Sequence, residues 1–282
     1  MTQRLRGLLS RVLRTRGAGF GMVVVALVLL VALGADFIAP YNPNKTQGAI
    51  LQYPNLQHLM GTDQLGRDVL SRLILGTRVA VLAGVVSVGF AIILGASLGL
   101  MAGYWGGWVD DLLMRLVDTL WSFPTLILAL AIAFSLGPGL SNAMVAIGVV
   151  FTPAFARLVR GQALSIRERD FVLAERVLGA GPLRIMLFHI WPNVVGPIIV
   201  QSSLMIAQAI IVEATLSFLG LGVEPPNPSW GSMLRQAYQY MERAPWLSLF
   251  PGLAIFATVL GLNLLGDGLR VALDPRLRQR GG

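Results

Sequence analysis

Long uncharged apolar runs restrict the fold of this chain more than any other feature of its sequence. A helix needs about 20 mostly apolar residues to cross a hydrocarbon core of about 30 Å, and the runs Gly17–Ala35 and Val79–Val109 both meet this requirement. Charged residues make up only 13 % of the 282 residues, against about a quarter in soluble domains. We therefore predict an all-α, polytopic membrane protein, which excludes a soluble enzyme, a disordered chain and a fibrous repeat.

Two further transmembrane helices are predicted in the uncharged run Thr119–Ala156, which is too long for one crossing. Gly-Pro-Gly within Ser135–Asn142 favours a turn in its middle. We expect the helix before this turn to begin near Leu112, with Arg115 and Asp118 paired on one face at the membrane edge. The last two of six expected helices are Pro192 to about Phe218 and Ala244–Gly266.

The positions of the arginines predict the orientation of these helices. Cytoplasmic segments beside transmembrane helices carry an excess of Lys and Arg. Six crossings place the N-terminus, the loop after the fourth helix and the C-terminal tail on one side, and these segments contain Arg4, Arg6, Arg11, Arg14, Arg16, Arg157, Arg160, Arg167, Arg169, Arg176, Arg184, Arg270, Arg276, Arg278 and Arg280. The opposite segment 40–78 fits less well, because it carries Lys45, Arg67, Arg72 and Arg78. We predict that both termini are cytoplasmic and that the first helix is an uncleaved anchor rather than a signal peptide.

Several missing residue types narrow the chemistry of the chain. There is no cysteine, and the two histidines, His58 and His189, are too far apart for a local metal motif. The single lysine, Lys45, does not follow a glycine, so the chain has no Walker A loop for ATP. We therefore expect no catalytic residue, metal or cofactor here, and any ATP-driven step must use another subunit. The net charge of +8 does not suggest nucleic acid, because the arginines flank apolar runs.

The loop after the fourth helix carries the strongest local signals. Ser165–Glu168 has the pattern of a capping box, which predicts a helix over Ile166–Leu178. Gly179 is expected to stop this helix, and Pro182 to start a second one that ends at Trp191, before a proline. Two readings are open: an amphipathic hairpin at the membrane interface, or a docking element for a groove on a cytoplasmic partner.

The same loop resembles the cytoplasmic loop of ABC-importer permeases, with the consensus Glu-Ala-Ala, three residues, Gly, nine residues, Ile-x-Leu-Pro. The matching positions are Ala174, Gly179 and Pro192, and the departures are Leu173, Glu175, His189 and Trp191. His189-Ile-Trp-Pro-Asn193 resembles the His-Ile-Leu-Pro-Asn of the dipeptide/oligopeptide/nickel branch. Segments 58–78, 113–124, 156–181, 213–234 and 264–278 also resemble that branch, most closely its second (C-type) permease subunit.

This resemblance implies a fold, a function and partners. The fold is that of a type I ABC-importer permease, with residues 1–78 as an N-terminal segment and 79–282 as a core whose coupling loop covers about 160–192. The chain would sit in the cytoplasmic (inner) membrane and form a path for dipeptides or oligopeptides with a related permease. Two cytoplasmic ATPases, which hold ATP and Mg²⁺, and an extracytoplasmic binding protein would complete the importer. Nickel or glutathione are the alternative cargoes.

The resemblance also selects candidate functional residues. The residues expected to couple the chain to the ATPases are Arg167, Asp170, Ala174, Glu175, Leu178, Gly179, Ala180, His189 and Pro192. Gln201 and Gln208 lie seven apart on one face of the fifth helix, where they either line the path or bond neighbouring helices. Glu213 lies about 30 Å along that helix from Asn193, hence near the outer surface, as a gate, a contact with the binding protein or an ordinary interface carboxylate.

Two remaining features have mainly structural interpretations. Gly61–Asp68 is expected to form a turn and a helix cap, followed by an amphipathic helix leading into the second crossing. Pro225–Trp230 is expected to form a stiff outer loop. A secondary transporter, the rival transport class, should show internal repeats and charged groups at mid-membrane, and neither is evident in the sequence.

Overall fold

The computed structural model describes residues 17–273, and these residues form a bundle of helices. The helices are α1 (Ala18–Ile38), α2 (Val69–Trp105), α3 (Gly107–Trp121), α4 (Thr125–Leu136), α5 (Leu140–Arg167), α6 (Asp170–Val177), α7 (Pro182–Arg184), α8 (Trp191–Leu219), α9 (Trp230–Tyr238) and α10 (Trp246–Leu273). A π-helical segment, Ile185–Ile190, joins α7 to α8 without a break. The predicted cytoplasmic arginines at positions 4–16 and 276–280 lie outside the described residues.

Five helical stretches within the described chain are long and apolar enough to cross a membrane by themselves. They are α1 (span one), α2 (span two), α5 (span four), the continuous stretch Pro182–Leu219 (span five) and α10 (span six). The bent pair α3 and α4 is the remaining candidate and is called span three. The prediction of six spans therefore depends on whether this bent pair crosses.

The packing of α2 against α5 shows that the bent pair crosses. Gly95 of α2 lies against Phe155 of α5, and Gly103 lies against Ala163. Residue numbers rise together along this contact, so the two helices run in the same direction. The chain must therefore return across the membrane between them, through α3 and α4. This confirms the prediction of six spans.

Span three differs from the single helix expected from Leu112 to the Gly-Pro-Gly turn. It is bent by 92° between Trp121 and Thr125. The physical reason is Pro124, which cannot donate a backbone hydrogen bond and disfavours helical geometry in the residue before it. The predicted pair of Arg115 and Asp118 is also wrong: Arg157 of α5 donates to the Asp118 carboxylate at 2.7 Å.

Span two begins ten residues earlier than predicted, at Val69 instead of Val79. The expected cap is confirmed, because the Asp68 carboxylate accepts a hydrogen bond from the Ser71 backbone N–H at 2.8 Å. The amphipathic helix expected before the span is not separate from it. The 37-residue helix is about 55 Å long, so it extends well beyond the hydrocarbon core.

The first and last spans pack side by side and run antiparallel to each other. Gly21 of α1 lies against Gly261 of α10, and Ala18 packs in one small cluster with Ala272. The start of span one and the end of span six are therefore at the same end of the bundle. This agrees with the predicted orientation, in which both termini are cytoplasmic.

Residues 39–68 and 220–245 cover the opposite, outer end of the bundle. The buried Arg67 donates to the Asp63 carboxylate at 2.6 Å, and the buried Arg72 lies 3.6 Å from the same group. His58 lies 2.9 Å from the buried Asp68. Arg67 and Arg72 thus share the Asp63 carboxylate inside the outer segment, where both side chains are buried rather than exposed.

Candidate functional site

The loop after span four folds as a helical hairpin of residues 168–191, called the hairpin below. The predicted capping box at Ser165–Glu168 is wrong, because α5 continues through Ser165 to Arg167 and α6 begins only at Asp170. The buried side chain of Ile166 keeps this last turn of α5 packed on the core. The Glu168 carboxylate instead accepts a hydrogen bond from Arg167 at 2.9 Å.

Gly179 ends the first arm of the hairpin, as the sequence predicted. Its φ is +83°, in the left-handed region that favours glycine. The Gly179 N–H donates to the Arg176 carbonyl, and the Ala180 N–H donates to the Glu175 carbonyl. These two bonds are those of a Schellman motif, which satisfies the last carbonyls of a helix.

The second arm of the hairpin is one piece with span five. Pro182 is the first residue of α7, as predicted. The predicted end at Trp191 is wrong, because the π-helical segment leads directly into α8 and Pro192 falls in the first turn of that helix. The Asn193 side-chain amide donates to the His189 carbonyl at 2.7 Å across this junction. A displacement of the hairpin would therefore reach span five without passing through a flexible link.

The hairpin buries one face and exposes an apolar face. Val172, Ile185, Met186 and Ile190 pack into the large core of the bundle. On the other side, Val177 is 87 % exposed and Leu178 is 81 % exposed. Three further large apolar side chains of the second arm are also exposed, namely Leu183, Leu187 and Phe188. Val177 and Leu178 precede span five, and exposed apolar side chains outside a span are typical of a contact with another protein.

Contacts at the inner end of span two join it to span four and to the hairpin. Arg167, the last residue of span four, donates to the Gly103 carbonyl at 2.9 Å, and the Arg176 guanidinium of the hairpin lies 5.7 Å from the centre of the Tyr104 ring. Glu175 lies 3.7 Å from His189 and bridges the two arms.

The predicted coupling residues therefore divide into two groups in the structure. The internal contacts use Arg167, Glu175 and His189, while Ala180 is half-buried beside the core. The exposed residues are Asp170, Ala174, Leu178, Gly179 and Pro192.

The polar residues of span five also divide between two faces. Gln208 is exposed and Gln201 is half-buried, and Thr215 continues their seven-residue spacing. Glu213 is only 1 % exposed and faces the interior of the subunit. The Ser217 hydroxyl donates to its carboxylate at 2.6 Å, and Ser229 of the outer segment is a second neighbour. Glu213 thus lies near the outer end of the span, as predicted from its distance along the helix, but not on the surface that the glutamines share.

Sequence reasoning overlooked two strong contacts near the inner end of the bundle. Arg160 of α5 donates twice to the Asp110 carboxylate of α3, at 2.5 and 2.6 Å. Arg157 lies 4.5 Å from the centre of the Trp121 ring, in addition to its bond with Asp118. No sequence spacing could indicate these pairs, because the partners are 36 to 50 residues apart. Among residues 17–273, no group of three or more His, Asp or Glu side chains could hold a metal ion.

Comparison with known proteins identifies the family. The family described as "Binding-protein-dependent transport system inner membrane component" matches residues 95–279. The family described as "N-terminal TM domain of oligopeptide transport permease C" matches residues 4–57. Together these two matches leave residues 58–94 of the chain between them.

Curated relatives resemble the chain over almost its whole length. The chain is 43 % identical to the dipeptide transport system permease protein DppC of Haemophilus influenzae, over 94 % of this chain and 92 % of the relative. It is 46 % identical to the di/tripeptide transport system permease protein DppC of Pseudomonas aeruginosa, with coverages of 93 % and 89 %. It is 43 % identical to the glutathione transport system permease protein GsiD of Pectobacterium atrosepticum, with coverages of 95 % and 90 %.

A solved structure supports the fold. An inward-facing structure of the MetNI methionine ABC transporter matches with a TM-score of 0.58 and 20 % sequence identity. The match covers 72 % of this chain and 96 % of that one. Two family matches, long relatives and this shared fold agree: the chain belongs to the family of inner membrane components of binding-protein-dependent transport systems, and it has the type I ABC-importer permease fold.

Proposed function

We propose that this chain is a permease subunit that imports dipeptides or oligopeptides. The observation that carries the proposal is the similarity to permeases named for dipeptide and di/tripeptide transport, at 43–46 % identity over about nine-tenths of each chain. Glutathione is a second candidate cargo, because a relative named for glutathione transport is 43 % identical over a similar length.

The proposed complex contains a related permease, two cytoplasmic ATPases and an extracytoplasmic binding protein. The exposed apolar face of the hairpin supports an ATPase contact, since Val177, Leu178 and Phe188 would be covered by a partner groove. The sequence lacks a Walker A loop, so the proposal places ATP and Mg²⁺ on the ATPase subunits. This chain then does no covalent chemistry of its own.

The proposed mechanism uses the continuity between the hairpin and span five. ATP binding closes the ATPases and displaces the hairpin, whose second arm and span five move as one helix. Arg167 and the Glu175–His189 contact keep the two arms and the inner ends of the neighbouring spans together during this movement. The path between the two permeases then opens alternately to each side, as a rigid-body switch.

The proposed path follows the face of span five that carries Gln201, Gln208 and Thr215. A polar side chain exposed to lipid would lose its hydrogen bonds with water. We therefore expect this row of polar side chains to face either a water-filled path or a neighbouring helix. Side-chain amides also match the backbone amides of a peptide. Glu213, which is buried against the outer segment, holds the end of span five in place rather than lining the path.

The proposal also divides the chain into an N-terminal segment, 1–78, and a permease core, 79–282. The family match beginning at residue 95 supports this division. The division runs through α2, which begins at Val69, so the two parts share one rigid helix.

Uptake in cells tests the choice of cargo. The chain is deleted from its host and restored on a plasmid, and uptake of a labelled dipeptide, Ala-Phe, is measured with and without excess glutathione. We expect uptake to disappear on deletion, to return on complementation and to persist in excess glutathione. Deletion without effect on Ala-Phe uptake would refute the peptide assignment, and full competition by glutathione would favour the second candidate.

A further inference from the structure

A polar pocket of about 350 Å³ lies at the outer end of span five, apart from the hairpin and the proposed path. It forms where Gly220, at the end of α8, meets α9 and the following outer segment. The side chains around it include Gln64, Ser217, Glu224, Arg235, Gln236 and Tyr240. A concave site of this volume falls in the range of about 300–1,000 Å³ that holds small molecules.

Two opposite charges in this pocket lack partners. Arg235 and Glu224 both line it as exposed side chains, and among residues 17–273 neither forms an ion pair or a side-chain hydrogen bond. The Arg235 guanidinium rests against Gly220, with its Cζ 3.1 Å from the position that a Cβ atom would take there. An arginine and a carboxylate that face one pocket without pairing match a ligand that carries both a carboxylate and an ammonium group.

Gln64 forms another part of the pocket wall. Its Oε1 atom is buried and has no hydrogen-bond partner among residues 17–273. Its Nε2 atom donates to the Gln236 Oε1 at 3.2 Å, and Arg67 donates to the same oxygen at 3.2 Å. Arg67 is in turn fixed by its 2.6 Å contact with Asp63. The Gln64 side chain is therefore held in place in the wall of the pocket.

We propose that this pocket binds a free short peptide on the outer side of the membrane. The peptide carboxylate lies on Arg235 and its ammonium group on Glu224. The choice of a peptide, rather than another zwitterion, rests on the proposed function. Ser217 lines the pocket and also bonds Glu213, so an occupied pocket contacts the outer end of span five directly.

Ligand-observed NMR on the permease pair in nanodiscs, without binding protein, tests this site. The probes are free Ala-Phe and the same dipeptide with an acetylated N-terminus and an amidated C-terminus. We expect free Ala-Phe to bind, and the blocked peptide to bind at least tenfold more weakly. Because a charge-assisted hydrogen bond corresponds to about tenfold in affinity, Arg235→Gln and Glu224→Gln should each weaken binding about tenfold.

Two exposed residues of the same outer segment provide matched controls. Arg243→Gln and Glu242→Gln remove the same charges outside the pocket, and they should bind Ala-Phe like the wild type. Equal binding by Arg235→Gln and the wild type, or equal binding of free and blocked peptide, would overturn the proposal. So would a loss of binding-protein capture in Arg235→Gln with free-peptide binding unchanged, since the pocket would then be a docking surface for that protein.

A parallel uptake measurement separates this inference from the proposed function. If the complete wild-type importer takes up Ala-Phe while the pocket binds none, only the site assignment fails. If the complete importer takes up no Ala-Phe, the proposed function fails whatever the pocket binds.

Discussion

Gly179 has a backbone conformation that residues with a Cβ atom adopt only at a cost. Its φ of +83° lies in the left-handed region, where such residues lose about 1–2 kcal/mol. In the described part of the chain, no neighbouring atom lies within 4 Å of the position that a Cβ atom would take. A substitution at Gly179 therefore acts through the backbone turn and not through a clash with a neighbour.

We predict that Gly179→Asp abolishes ATP-dependent uptake while the protein remains in the membrane. The matched control is Gly181→Asp, because Gly181 has equally open surroundings but an ordinary φ of −70°. Uptake of labelled dipeptide and immunoblots of membrane fractions measure both effects. Equal loss of uptake in the two variants would show that the added charge matters and the turn does not.

At the scale of helices, the correct predictions concern features that are set by apolar runs and by nearby glycine and proline residues. Six spans, the stop at Gly179 and the start at Pro182 follow from residues that lie next to each other in the chain. Pro124 was a local signal for the bend in span three. The prediction instead placed the only break at the Gly-Pro-Gly turn that follows.

Side-chain contacts between helices could not be predicted from the sequence, because they depend on tertiary packing. The Arg157–Asp118 and Arg160–Asp110 pairs depend on how α5 packs against α3, which no spacing within one helix reveals. The capping box at Ser165 failed for the same reason, because packing of Ile166 extends α5 past a good start signal. The exposure of Gln208 and the burial of Glu213 likewise depend on which neighbours surround α8.

The contact between α2 and α5 has a signature that was present in the sequence. Gly95, Gly99 and Gly103 recur every four residues and lie on the α5 side of α2. A Cβ atom at Gly99 would lie 2.9 Å from the Arg160 backbone nitrogen and from the Val159 Cβ. Small residues at this spacing let two membrane helices approach closely.

We predict that Gly99→Leu lowers the thermal unfolding temperature of the purified chain, because the side chain forces α2 and α5 apart. Overpacking of this kind costs about 1–3 kcal/mol or more. The matched control is Gly89→Leu on the same helix, where no atom lies within 4 Å of the added Cβ. Equal unfolding temperatures for the two variants in detergent would contradict the close packing of these helices.

For the whole molecule, we propose a subunit that is moved by ATP bound on other subunits. The hairpin has exposed apolar side chains, and its second arm is continuous with span five. On this proposal, a partner contacts the exposed side chains, and the continuous helix carries the displacement into the membrane. A secondary transporter would instead draw its energy from an ion gradient.

Uptake by proteoliposomes shows whether ATP or an ion gradient drives transport through this subunit. The complete importer, with both permeases, both ATPases and the binding protein, is reconstituted, and accumulation of labelled Ala-Phe is followed. The account predicts accumulation that requires ATP and the binding protein, and that stops when the ATPase Walker A lysine is replaced. Accumulation driven by a proton or sodium gradient in vesicles that contain this chain without the ATPases would contradict it.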